Sequence, residues 1–165
     1  MADRPIVLVD TNVILEAHAK RCWAALCGGL RIETVEKCVE ETQTGFQQRR
    51  PEQNIDERAL RAGLAAVHEV DDLALAEVLL MGGGVLHAGE RHLWAHALTR
   101  KDAWVLCGPD TASLRFGHDA RMRDRIVSLE GLLEDIGFRP PLPIQPQYGR
   151  KHHEGIMNKL VLGIL

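Results

Sequence analysis

The chain has 165 residues, with 45% apolar and 26% charged side chains and a formal net charge of −3. These values suit one soluble globular domain with a full core, and they exclude a broadly basic nucleic-acid coat. No stretch reaches the roughly 18 apolar residues of a membrane-spanning helix, so no membrane partner is expected.

Asp3 and Arg4 interrupt the N-terminus, and the apolar run behind them is short. No secretory leader is therefore expected, and a cytoplasmic location is. Ile6-Val7-Leu8-Val9 predicts a strand buried on both faces, as in a parallel sheet. Asp10 follows, where a helix begins; Asp10, Thr11 or Asn12 would cap it. Apolar residues Val13, Ile14, Ala17, Cys22, Ala25 and Leu26 predict one helix ending at Gly28-Gly29. Leu30 to Thr34 predicts a short strand, and Val35 to Thr42 a helix that places Glu40 and Glu41 beside its apolar stripe. Gln43 to Asn54 is polar and contains Arg49-Arg50-Pro51, an exposed loop.

A helix is predicted from Asp56-Glu57 to about Val67, with Leu60, Leu64 and Val67 inward. Another follows Asp71-Asp72 and stops at Gly82-Gly83-Gly84. Gly89-Glu90 opens a further helix, and Ala103 to Cys107 predicts a second buried strand. That strand runs into Gly108-Pro109-Asp110-Thr111, the same strand-then-acid pattern as at Asp10. A helix or turn begins at Ala112. Arg125 to Ser128 predicts a strand and Leu129 to Ile136 a helix ended by Gly137. Alternating strands and helices imply an α/β fold. From Arg139 four prolines mark an extended connector, and Gly155 to Leu165 predicts a closing helix. Met157, Leu160, Val161 and Ile164 would form its apolar stripe. The chain divides into a body, 1–138, and a proline-rich connector with a C-terminal helix, 139–165. The four cysteines, Cys22, Cys27, Cys38 and Cys107, make no C-x-x-C pair; a reduced, half-buried set is expected.

Asp10 and Asp110 both follow buried strands, so both should lie on one edge of the sheet, where ligands of open α/β sheets gather. Glu41 and Glu90 lie near helix ends that could close on that edge. Crowded carboxylates repel, and a hard divalent ion relieves them; all-oxygen ligation suits Mg²⁺ or Mn²⁺. Such an ion can activate water for in-line attack on phosphate. His92 and His96 stand at i and i+4, a spacing that can bind zinc in a minor, hydrolase reading. His152 and His153 are expected in solvent, as is Asp119 near a helix start.

Val9-Asp10-Thr11-Asn12, Glu40-Glu41-Thr42-Gln43-Thr44-Gly45, Gly89-Glu90, Asp110, and Arg125 through Leu133 occur in this order. The ordered set resembles the PIN-domain nuclease family, which includes toxin–antitoxin ribonucleases, over Ile6 to about Gly137. The resemblance implies a three-layer α/β/α fold with a central, mainly parallel sheet. It further implies an endoribonuclease with catalytic, metal-binding acids Asp10, Glu41, Glu90 and Asp110. Asn12 would orient a water or the Asp10 carboxylate. Glu40 competes with Glu41 for its place, because spacing alone does not fix the helix register. RNA is the implied substrate. Arg49, Arg50, Arg91 and Arg115, with Arg121 and Arg123, could line its approach, since cations neutralise phosphate. An antitoxin protein and a homodimer are the expected partners, and a non-catalytic RNA- or protein-binding module is the alternative.

Overall fold

Ile6–Val9 is buried at every position and forms the central strand β1. In a strand successive side chains point to opposite faces, so burial of all four requires cover on both sides of the sheet. The computed structural model describes residues 4–44 and 54–165. Among them the sheet has five parallel strands in the order β3-β2-β1-β4-β5, with β2 at Arg31–Val35, β3 at Ala66–His68, β4 at Trp104–Cys107 and β5 at Ile126–Val127. Parallel registers pair Leu8 with both Glu33 and Leu106. Helices flank the sheet in a three-layer α/β/α arrangement.

The chain leaves β1 toward β2 on one side and later returns to β4 on the other, so the strand order reverses at the β1–β4 pair. Carboxyl ends of strands at such a point form a crevice, the usual ligand position of open α/β sheets. Asp10 caps α1 (Thr11–Ala19) directly after β1, and Asp110 caps α7 (Thr111–Asp119) after β4. The remaining walls come from α3 (Glu36–Gln43) and α6 (Ala88–Thr99), which pack on each other.

Several expectations are corrected. The helix predicted from Val13 to Leu26 is two helices, α1 and α2 (Trp23–Gly29). Arg21 takes a left-handed conformation with φ 58°, and Cys22 N–H donates to Ala17 O, closing α1 without a glycine. The helix predicted to Val67 stops after α4 (Glu57–Gly63); Ala66–His68 instead adds edge strand β3, pairing Glu33 with Ala66 and Val35 with His68. Three residues carry too little periodicity to be read as a strand. Asp119 ends α7 rather than starting a helix.

The predicted helix after Asp71-Asp72 is α5 (Asp72–Leu80), and the late helix is α8 (Leu129–Asp135). The closing helix, α9 (Arg150–Val161), starts earlier than expected and packs on α7 and α8. Only part of the predicted stripe turns inward: Leu160 is buried and Met157 half-buried, Val161 is exposed although still in the helix, and Ile164 is exposed past its end, where Gly163 takes φ 69°. The connector is anchored by Gln145 N–H donating to Glu16 Oε1 at 3.1 Å and by Tyr148 O–H donating to Asn12 O at 3.3 Å. Cys22, Cys38 and Cys107 are buried and Cys27 half-buried, all as free thiols. No helix among the described residues is long and apolar enough to cross a membrane.

Candidate functional site

The crevice at the β1–β4 switch holds a cavity of about 300 Å³ lined by Asp10, Thr11, Asn12, Glu41, His87 and Glu90. Asp10 is 2% exposed. Its Oδ1 accepts from Val13 N–H at 2.8 Å, the ordinary N-cap bond, while its Oδ2 is buried without a hydrogen-bond partner among the described residues. Cap and site residue are thus one side chain, divided between its two oxygens, and Asn12 is left exposed to the cavity.

Glu90, in the first turn of α6, is 5% exposed. Its Oε2 accepts from His87 N–H at 3.2 Å, and its Oε1 is also buried without a partner. Glu41 reaches in from the last turn of α3. Its Oε2 accepts from Thr11 O–H at 2.6 Å and its Oε1 from Gly89 N–H at 2.8 Å. Glu40 points elsewhere: its side chain is 60% exposed and pairs with Lys37 at 3.2 Å. The register left open by the sequence therefore puts Glu41 in the cavity.

Asp110 lines an adjoining cavity of similar size with Asn12, Pro109, Thr111, Gln147, Tyr148 and His152. Asn12 borders both cavities. Asp110 Oδ1 accepts from Ala112 N–H at 2.8 Å. Burial is the main cause that pushes the Asp10 carboxyl up to about 8; the charges of Glu90, Asp110 and Glu41 push the same way, against the Val13 hydrogen bond. Burial, then the charge of Asp110, pushes Glu90 up to about 7. Two acids that resist ionisation face a polar cavity beside two more. Oxygen donors with unpaired, buried lone pairs have the chemistry that a hard divalent cation takes, but among the described residues the cluster whose ligand atoms all lie within 4.8 Å of one another is Glu33, His68 and His96, not these acids.

Other expected site residues are placed differently. Arg91 donates to the carbonyls of Gly83, Gly84 and Leu86, clamping the turn after α5, and lines neither cavity. Arg115 is exposed on α7 and lines neither cavity. Arg121 adopts the left-handed conformation that ends α7, and Arg123 lies 4.0 Å from the Asp124 carboxylate. Arg49 and Arg50 lie outside the described residues. His152 and His153, expected in solvent, are half-buried, and His152 lines the Asp110 cavity. The sequence offers Thr11 only as a possible cap, and it does not point to His87, Gln147 or Tyr148. Only Thr11, inside the strand–acid motif, carried any local signal.

His92 joins no cluster of three or more metal-ligating side chains among the described residues. His96 instead joins Glu33 from β2 and His68 from β3, residues distant in sequence. The His68 and His96 rings stack with centroids 4.0 Å apart, and burial followed by the charges of His68 and Arg100 lowers His96 to about 4.

Comparison with protein families, with curated proteins and with solved structures finds no match to this chain.

Proposed function

We propose that the chain is a PIN-like, metal-dependent endoribonuclease in which Asp10, Glu41, Glu90 and Asp110 hold Mg²⁺ or Mn²⁺. One observation carries this reading: Asp10 Oδ2 and Glu90 Oε1 are buried, without partners among the described residues, at a cavity they share with Glu41. Burying a carboxylate oxygen unpaired is costly unless a cation satisfies it. A bound divalent ion would supply Lewis acidity at the scissile phosphate and lower the pKa of an attacking water.

The chain's own residues do the positioning. The Asp10 cap bond fixes that carboxyl at the end of β1, and the Asp110 cap bond does the same after β4. Thr11 and the Gly89 N–H hold both Glu41 oxygens, so this carboxylate cannot rotate away without losing two hydrogen bonds. Asn12 borders both cavities, and it would orient a water or the Asp10 carboxylate.

The toxin-type reading further implies a homodimer and an antitoxin-like protein partner. The test is cleavage of a single-stranded RNA panel, with the matching DNA panel, in Mn²⁺ and in chelator. Divalent-dependent RNA cleavage that disappears in Asp10→Asn is expected. Mn²⁺ binding without cleavage of any RNA would favour the binding-module reading. Cleavage that persists in Asp10→Asn would end the mechanism.

A further inference from the structure

Glu33 lies in the middle of β2 and is 2% exposed, unusual for a carboxylate in the sheet. Its Oε2 is 2.8 Å from His68 Nε2. Arg100, just past the end of α6, points one nitrogen, Nη1, into the same space. That nitrogen lies 2.7 Å from Glu33 Oε2, 2.9 Å from His96 Nε2 and 3.4 Å from His68 Nε2. A guanidinium only donates hydrogen bonds, so His96 Nε2 presents its lone pair to this centre. A carboxylate and two imidazoles thus converge on one cationic group.

We propose that Glu33, His68 and His96 form a Zn²⁺-type site, with Arg100 holding the cation position when metal is absent. Two histidines and one carboxylate are an established zinc ligand set, leaving a fourth position for water. The three ligand atoms lie within 4.8 Å of one another. Zn–N distances of about 2.0 Å in a tetrahedron separate ligands by about 3.3 Å, so closure asks for movements of about 1 Å.

Arg100 keeps an anionic partner when Nη1 leaves the centre. Its Nε and Nη2 already bind the Asp102 carboxylate at 2.9 and 2.8 Å, on the exposed side. His68, which shares its Nε2 with Glu33, would carry its proton on Nδ1 once Nε2 ligates. Arg31 Nε, 3.5 Å from Glu33 Oε1, remains as an outer partner of the ligating carboxylate. Metal here would tie the three-residue edge strand β3 to β2 and α6. Mg²⁺, which prefers oxygen ligands, would not compete. The site shares no residue with the acidic cavity: Glu90 lies six residues before His96, about 9 Å along the helix. Its success or failure is therefore independent of the nuclease reading.

Co²⁺ titration of the full chain, followed by visible absorption, tests the proposal, because four-coordinate Co²⁺ with nitrogen ligands absorbs strongly and an octahedral all-oxygen site weakly. The natural chain should develop the strong band at one equivalent, without a thiolate charge-transfer band, and Zn²⁺ should bleach it. His68→Ala and His96→Ala should weaken binding at least 10-fold. Arg100→Gln should tighten it about 10-fold by removing the resident cation. Asp102→Asn, an exposed change that leaves the cluster intact, should weaken it by keeping Arg100 inward. Absence of the band in the natural chain overturns the site, including the case where only Arg100→Gln binds. So does a band that survives both histidine variants, and equal affinity in the natural chain, Arg100→Gln and Asp102→Asn overturns the role of Arg100.

Discussion

Gly89 and Glu41 meet across the crevice: the Gly89 N–H donates to Glu41 Oε1 at 2.8 Å, and a Cβ on Gly89 would collide with Glu41 Oε2. The glycine before Glu90 is thus a matter of close approach. Without a side chain, the N-terminus of α6 can sit directly against a carboxylate from α3, where its N–H groups and dipole favour negative charge.

Gly89→Ala should therefore separate site from fold. Alanine suits a helix better than glycine by about 1 kcal/mol, and the atom it displaces is the flexible end of Glu41. The melting temperature should change by no more than a few degrees, while Mn²⁺ affinity measured by calorimetry falls about 10-fold, as when a ligand loses its orienting partners. Unchanged affinity would show that the position of Glu41 does not matter to metal.

Glu41→Gln and Glu40→Gln should differ sharply. Glu41 lies between Thr11 and Gly89 at the cavity, and Glu40 lies in solvent with Lys37. Metal-dependent RNA cleavage should drop at least 100-fold for Glu41→Gln and less than 2-fold for Glu40→Gln, as estimates from what loss of a ligand and of a surface ion pair cost. Equal losses would remove α3 from the site.

The metal-free protein should lose stability as pH rises. Asp10 holds its proton up to about 8 and Glu90 up to about 7, against ordinary values of 3.8 and 4.5. Above the ordinary range the unfolded chain has released these protons and the folded chain has not. Their contribution is complete below about pH 4 and is lost as pH climbs through 7 and 8. Thermal melts in chelator should show a melting temperature falling between pH 5 and pH 8. Asp10→Asn keeps the cap oxygen and should flatten that fall, and Mn²⁺ should reverse it at pH 8. A pH-independent melt would mean the two acids ionise freely.

Leu160 is the buried anchor of α9, at 6% exposure. Leu160→Ala should cost about 2 kcal/mol, the low end for a buried leucine, read from urea unfolding. Removing residues 150–165 should lower the melting temperature further and reduce solubility, because it uncovers the α7 and α8 surfaces. A truncated chain as stable as the parent would show that α9 adds nothing to the body.

The two buried strands and the acid after each were legible from sequence, because both signals are local. An uninterrupted apolar run reports burial on both faces, and Asp10 follows its strand directly while Asp110 follows after Gly108-Pro109. Gly89-Glu90 was legible as a helix start for the same reason. Register and long-range meetings were not. Whether Glu40 or Glu41 enters the cavity depends on how α3 rolls against α6, which packing decides. The break at Arg21 needed a left-handed residue that no glycine announced. β3 exists because β2 offers three residues an edge to pair with. His152 reaches the Asp110 cavity because the connector is held by Glu16 and Asn12, on a helix far away in sequence. Glu33, His68 and His96 become neighbours only where β2, β3 and α6 pack together, since no periodicity in one dimension encodes a contact between separate elements.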